Sequence, residues 1–282
     1  MNVKNFDLDI EVSAKMENVI LNNGVRMPLL GFGTYLLRDG FECEQCVLTA
    51  LNTGYRLIDT AAVYNNEDSV GKAIKNSHIR REEIFVTTKF VPANVGYEKT
   101  KQAYGASLKK MGLDYIDLFL IHLPQGDVNS SWKAMEELYK EGKVRAIGVS
   151  NFNMNQISDL VKQHTVVPVV NQVETHPFSQ KTEMQNVLRS KGIQLESWAP
   201  FAQGRNNLFN QELLVAVSSK YKKSVAQVVL RWLIQKEVVV IPKSANMKRI
   251  NENFNVFDFE LSADDLASIK SLDKGSGLIY GV

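Results

Sequence analysis

The stretch GYRLIDTAAVYNNE, Gly54 to Glu67, holds a whole structural unit in miniature. Gly54 follows a helical run, where a left-handed stop is wanted. Tyr55 to Ile58 have β character, and an acid, Asp59, arrives where the apolar run ends. Tyr64 comes next, just ahead of polar residues suited to start a helix. The unit is therefore helix stop, buried strand, polar strand end, and new helix.

The same unit recurs along the chain. Short runs rich in Val and Ile predict strands at 29–35, 55–61, 84–90, 115–122, 144–150, 168–174, 193–199 and 238–244. Helical periodicity fills the intervals at 42–53, 66–76, 97–111, 130–141, 154–164, 182–191 and 246–254. Additional helices are predicted at 211–220, 224–236 and 262–271. Eight such units, with strands apolar nearly throughout, predict a (β/α)8 TIM barrel. A doubly wound sheet is the runner-up, and no composition shift or linker marks the second domain it would bring. Ahead of the first barrel strand, Asn23-Gly24 lies between two β-like runs and predicts an N-terminal β-hairpin capping the barrel floor. One barrel domain over 1–282 follows, with residues 1–15 as a flexible extension and extra helices near the C-terminus.

Composition narrows the function. A chain of 282 residues, 44% hydrophobic, can build a large core without disulfides. A net charge of +2 gives no strong field, so neither nucleic acid nor an acidic membrane is implied as a partner. No apolar run approaches the roughly 18 residues needed to span a bilayer. The first residues lack the apolar centre of a secretory signal, so a soluble, cytoplasmic chain is expected. Cys43 and Cys46 form CEQC inside a helical pattern, three apart on one face, and read as ordinary helix residues. No second pair of Cys or His residues has metal-ligand spacing.

In a barrel enzyme the chemistry collects at the C-terminal strand ends. The polar residues there are Asp59 leading to Tyr64, Lys89, His122, Ser150-Asn151, Gln172 and Glu174, Trp198, and Lys243-Ser244. Singly, each has a plain structural reading: Asp59 as a helix N-cap, Tyr64 as a loop aromatic, Lys89 as a surface charge, His122 as a core histidine. Four titratable groups ending three adjacent strands are hard to explain as packing.

These segments resemble the aldo-keto reductases. GYRLIDTAAVYNNE, VTTKF, DLFLIHLP, IGVSNF, NQVETHP, the WAP after strand seven, and IPKS followed by RINENF occur in that family's order across nearly the whole chain. The overall look is of the bacterial branch of glyoxal, diketogluconate and prostaglandin F-type reductases. The resemblance implies NADPH-dependent reduction of aldehydes and ketones by a monomer acting on small carbonyl compounds. Tyr64 would be the proton donor, Lys89 the cation beside it, Asp59 the anchor of that cation, and His122 the donor to the substrate carbonyl. A cation about 4 Å from a phenol favours the phenolate by about 4 kcal/mol at an effective dielectric near 20. Burial of the phenol opposes this, and a smaller net acidification is expected.

GFGTYL, Gly31 to Leu36, lacks the third glycine of a dinucleotide fingerprint, so a Rossmann site is excluded. By resemblance, Ser150, Asn151 and Gln172 would bond the nicotinamide carboxamide while Trp198 stacks on its ring. The pyrophosphate would follow Ala199, Phe201, Gln203 and Gly204, with Gly33 and Thr34 near the ribose. Lys243, Ser244 and Arg249, at a helix start, suit a 2′-phosphate, so NADPH is expected to be preferred over NADH. Asn253 and Glu252 match the adenine contact.

Tyr35, Phe90, His122 and Leu123 would line the substrate pocket. Phe90 and Leu123 stand where the family commonly has tryptophan, which implies a wider pocket. The chain ends ten residues past Leu272, so a long closing loop is not expected and specificity should be loose. Two other readings share the fold. One is a nucleotide-sensing binding protein. The other is a Schiff-base aldolase using Lys89, which a lysine held charged by Asp59 disfavours.

Overall fold

The computed structural model describes residues 17–279, so the expected N-terminal extension lies outside the described residues. Its first elements are two short antiparallel strands, β1 (Asn18–Ile20) and β2 (Arg26–Pro28). The turn between them sits on the barrel floor. Asn22 Nδ2 donates to the Pro168 carbonyl and Asn23 Nδ2 to that of Arg145, both 3.0 Å, at the entry ends of two barrel strands.

Eight parallel strands follow: β3 (Phe32–Gly33), β4 (Leu57–Asp59), β5 (Phe85–Phe90), β6 (Ile116–Ile121), β7 (Val144–Ser150), β8 (Val170–Glu174), β9 (Gln194–Trp198) and β10 (Val239–Val240). Each pairs with its sequence neighbour. The first and last strands meet through a parallel bridge between Leu30 and Val240. Gly31 N–H donates to Val240 O at 2.8 Å, and Gly33 N–H to Pro242 O at 3.1 Å, so the sheet curls back on itself. The helices between are α1 (Phe41–Thr53), α2 (Glu67–Asn76), α3 (Tyr97–Met111), α4 (Val128–Lys140), α5 (Met154–Gln163) and α6 (Thr182–Ser190). After β9 come α7 (Glu212–Tyr221) and α8 (Val225–Gln235), and after β10 come α9 (Met247–Phe254) and α10 (Ala263–Lys270).

The (β/α)8 prediction holds, and its helices match to within a residue or two. The two seam strands are much shorter than the expected 29–35 and 238–244. Pro242 has no N–H to extend the ladder, and the Gly31–Gly33 segment divides its bonds between both neighbours. Gly33 must be glycine, because a Cβ there would lie 2.8 Å from the Ile241 carbonyl oxygen. This close approach brings the strand that carries Tyr35 beside the one that leads to Lys243.

Strands covered on both faces are apolar throughout, and the interior is one continuous cluster of aliphatic and aromatic side chains. Polar side chains break that pattern at the upper ends of the strands. Cys43 and Cys46 belong to the packing of α1: both are free and buried, and burial pushes the Cys43 thiol up to about 12. Among the described residues no helix is long and apolar enough to cross a membrane.

Candidate active site

Asp59 ends β4 and Lys89 stands one residue before the end of β5, on adjacent strands and both essentially inaccessible. Lys89 Nζ lies 2.6 Å from Asp59 Oδ1 and donates to the Thr60 carbonyl at 3.0 Å. The second carboxylate oxygen of Asp59 accepts from Gln172 Nε2 at 2.8 Å, across the barrel from β8. Asp59 is thus no helix cap. Burial raises its carboxyl above the ordinary range while Lys89 and Gln172 pull it down. Burial likewise works to strip the Lys89 proton, but Asp59 and the nearby phenol outweigh it and hold the ammonium above its usual value. A contact of 2.6 Å between them, with every remaining oxygen bonded, is the geometry of an ion pair.

Tyr64 ends a single 3-10 turn, Ala62–Tyr64, directly after β4. Its hydroxyl is 3.5 Å from Lys89 Nζ, at the outer limit of a hydrogen bond, and its ring is 5.9 Å from that of His122 in an edge-on arrangement. The four residues therefore share one patch at the barrel mouth. One expectation needs correction: the phenol is raised from its ordinary value, because burial outweighs Lys89, so it is not a net stronger acid here. His122 is pushed down to about 3 by burial and by Lys89, which leaves its imidazole neutral at physiological pH.

Side-chain bonds tie the loops of the mouth together. Asn151, in the left-handed region with φ 63°, donates to the His122 carbonyl at 3.1 Å and accepts from Trp198 Nε1 at 2.9 Å. Ser150 Oγ donates to the Gln172 carbonyl at 2.9 Å. Tyr35 is half exposed, its ring 5.0 Å from that of Tyr64, and Leu123 is half-buried beside His122.

Phe90 does not reach the mouth. Side chains alternate along a strand, and with Lys89 inward, Phe90 turns outward to pack on Phe119, which contacts Tyr104 of α3. Thr88 confirms the parity by bonding Glu67 of α2 at 2.7 Å. The same alternation puts Val91 on the Lys89 side, half-buried at the strand exit. Counting from the lysine by twos would have found it.

Two more residues were not singled out from sequence. Asn66 is fully buried: its Nδ2 donates to the Thr34 carbonyl at 2.9 Å and its Oδ1 accepts from Thr60 Oγ1 at 2.9 Å. It reads locally as a helix start, yet its side chain makes no cap bond and instead joins the loop carrying Tyr35 to the loop carrying Tyr64. Glu196, on β9 opposite Gln172, is a buried carboxyl in the barrel interior.

The other candidates lie at or after the ends of β3, β9 and β10. Gly33 and Thr34 stand at the exit of β3. Ala199, Phe201, Gln203 and Gly204 lie in an irregular segment where Ala199, Ala202, Gln203, Asn206 and Asn207 all take positive φ. Lys243 and Ser244 are half-buried after β10 and Arg249 is exposed on α9. Asn246 caps that helix by accepting from the Arg249 N–H at 3.2 Å. Glu252 is half-buried and Asn253 buried further along α9.

A barrel whose buried Asp–Lys pair, phenol and neutral imidazole meet at one mouth defines a class of oxidoreductase, and sequence comparison agrees. Residues 29–274 match the model of the aldo/keto reductase family. The chain belongs to that family. It is 47% identical to a glyoxal reductase of Bacillus subtilis over 92% of this chain and 93% of the relative. It is 43% identical to a methylglyoxal reductase of Escherichia coli over 92% of this chain and 94% of the relative. Among solved structures, an aldo-keto reductase from a deep-sea metagenome superposes with a TM-score of 0.91 at 45% identity, covering 93% of this chain and 97% of that one. A Bombyx mori aldo-keto reductase in complex with NADP superposes at 0.86 with 36% identity, covering 92% of this chain and 93% of that one.

Proposed function

We propose that this protein reduces small aldehydes and ketones to alcohols with NADPH, Tyr64 giving the proton. The observation that carries the reading is the contact of the Lys89 ammonium with both Asp59 and the Tyr64 hydroxyl. When bound, the dihydronicotinamide supplies the hydride. Everything else is done by side chains. A phenol held above its ordinary value stays protonated at neutral pH, as a donor to a developing alkoxide must. Lys89 lowers the cost of the phenolate left behind, and Asp59 keeps Lys89 charged and in place. His122, neutral, has one N–H to give to the substrate oxygen, orienting and polarising the carbonyl. Tyr35, Leu123 and Val91 would form the walls, with no tryptophan at Val91 or Leu123 to narrow the pocket.

The donor set fits the dinucleotide. Ser150, Asn151 and Gln172 supply an amide-and-hydroxyl cluster for the carboxamide, beside the flat face of Trp198. The irregular segment running from Ala199 through Phe201 to Gln203 and Gly204, with positive φ at Ala199, Gln203 and Gly204, would border the pyrophosphate. Gly33 and Thr34 would border the ribose. Lys243, Ser244 and Arg249 at the start of α9 offer two cations and a hydroxyl to a 2′-phosphate, and Glu252 and Asn253 would flank the adenine. The test is a panel of carbonyl compounds with NADPH and NADH on wild type and Tyr64→Phe. We expect turnover of several small aldehydes, favoured with NADPH, and a loss of at least about a hundredfold in the variant. Tight cofactor binding without oxidation across the panel would favour a sensing role instead.

A further inference from the structure

Beneath the site lies a second carboxyl that the reaction as described leaves unused. Glu196 stands on β9 in register with Gln172 on β8 and Val239 on β10, fully buried on the inner wall. Neither of its carboxyl oxygens has a hydrogen-bond partner among the described residues. The Gln172 amide faces it closely enough to draw its proton affinity down, and the same amide nitrogen bonds Asp59 Oδ2 at 2.8 Å. Gln172 therefore stands between two carboxyls, Asp59 and Glu196, and the Lys89 ammonium acts on both.

We propose that Glu196 is a positioning residue for carbonyl reduction, seated beside Gln172 on the inner wall to set the net charge around Asp59, Lys89 and Tyr64. The proposal rests on the reading of Tyr64 as proton donor. One ammonium can neutralise one carboxylate, and Asp59, at 2.6 Å from Lys89, is that partner. Among the described residues Glu196 has no cation in contact and neither oxygen is hydrogen-bonded, so it is the group that stays a neutral acid. Burial first, and then the Asp59 charge, push it up to about 8. The groups facing it are Gln172 from β8, Asp59 from β4, Lys89 from β5 and the apolar Val239 from β10.

In its neutral form Glu196 leaves Asp59, Lys89 and itself with no net charge. When it ionises, the cluster carries a second negative charge, which strengthens the hold of Tyr64 on its proton and slows proton donation. A unit charge a few ångströms away, at an effective dielectric near 20, is worth on the order of tenfold in proton affinity. The sign for folding is the reverse of the usual carboxylate. The folded value lies above the unfolded one, so the contribution to stability is full below the ordinary value of 4.5 and is lost as pH rises towards 8.

The experiment compares wild type with Glu196→Gln, which keeps the shape and neutrality of the acid, and with Glu196→Met, of similar volume. The readouts are the pH profile of kcat/KM for aldehyde reduction with NADPH and the thermal midpoint from pH 5 to 9. We expect wild type to lose on the order of tenfold in kcat/KM above an inflection near Glu196 titration, both variants to lack that inflection, and activity at pH 6.5 to change little in Glu196→Gln. The midpoint of Glu196→Gln should rise above that of wild type as the pH increases. Superimposed profiles, or parallel midpoints, in an active enzyme would overturn this proposal alone. A wild type inactive on every carbonyl would overturn the reading of Tyr64, and this proposal with it.

Discussion

Asp59 and Lys89 form an ion pair of 2.6 Å in which neither side chain is more than 2% exposed. A pair so buried gains little net stability over an apolar one of equal size, yet removing one partner is costly because the other is left unpaired. In the proposed reaction the pair keeps a full positive charge beside the Tyr64 phenol at the barrel mouth.

Asp59→Asn leaves the shape but takes the charge. Lys89 then has burial working against its proton and no carboxylate in contact. Below the unfolded lysine value the folded state would bind fewer protons, so stability is lost at neutral pH and regained as the pH rises. Denaturant unfolding should show a loss of about 3 kcal/mol at pH 7 that shrinks at alkaline pH. Aldehyde reduction should fall at least about tenfold.

His122 makes acid destabilising. It is neutral when folded, with a value of about 3, and the unfolded chain takes a proton below 6.5. Between those limits the unfolded state binds the extra proton, so stability falls with pH by up to about 1.4 kcal/mol per pH unit. His122→Gln escapes this, and its stability relative to wild type should improve steadily from pH 7 to pH 4 in urea titrations. The kcat/KM of wild type should show no inflection from His122 between pH 5 and 8.

Lys243 and Arg249 are the proposed contacts of the 2′-phosphate. Replacing both with Met and Ala should weaken NADPH by about a hundredfold or more, since each phosphate contact from a charged donor contributes about 1.5–3 kcal/mol, and leave NADH nearly unchanged. Fluorescence titration with the two cofactors reads this directly. Equal losses for both would place the phosphate elsewhere.

Asn66→Ala cuts the link between the loops of Tyr35 and Tyr64. It leaves Thr60 Oγ1 and the Thr34 carbonyl without their buried partner. A stability loss of about 2–3 kcal/mol is expected, with turnover reduced more than cofactor affinity. Thermal unfolding and steady-state kinetics on one preparation separate the two.

Much of this was legible in the chain. Repetition of strand and helix showed the barrel, because buried parallel strands write themselves as apolar runs, and polar residues ending those runs showed Asp59, Lys89 and His122. Strand ends at the seam were not legible, since Pro242 and the close approach at Gly33 act through backbone geometry. Phe90 packs outward on Phe119 because strand parity relative to Lys89, not residue type, decides which side chain reaches the mouth. Asn66 hid behind the resemblance of NNE to a helix cap, and Glu196 behind a strand whose polar end, Trp198, drew attention first. The balance of burial against charge at Tyr64 needed coordinates, because both effects depend on distances that sequence does not contain.

Proton delivery by the Tyr64 hydroxyl is the step on which the proposed reaction depends. Single-turnover oxidation of bound NADPH by an aldehyde, followed by absorbance in wild type and Tyr64→Phe, tests it most directly. We expect a rate at least about a hundredfold slower in the variant, with the NADPH dissociation constant unchanged. A variant that turns over within a few-fold of wild type would contradict it.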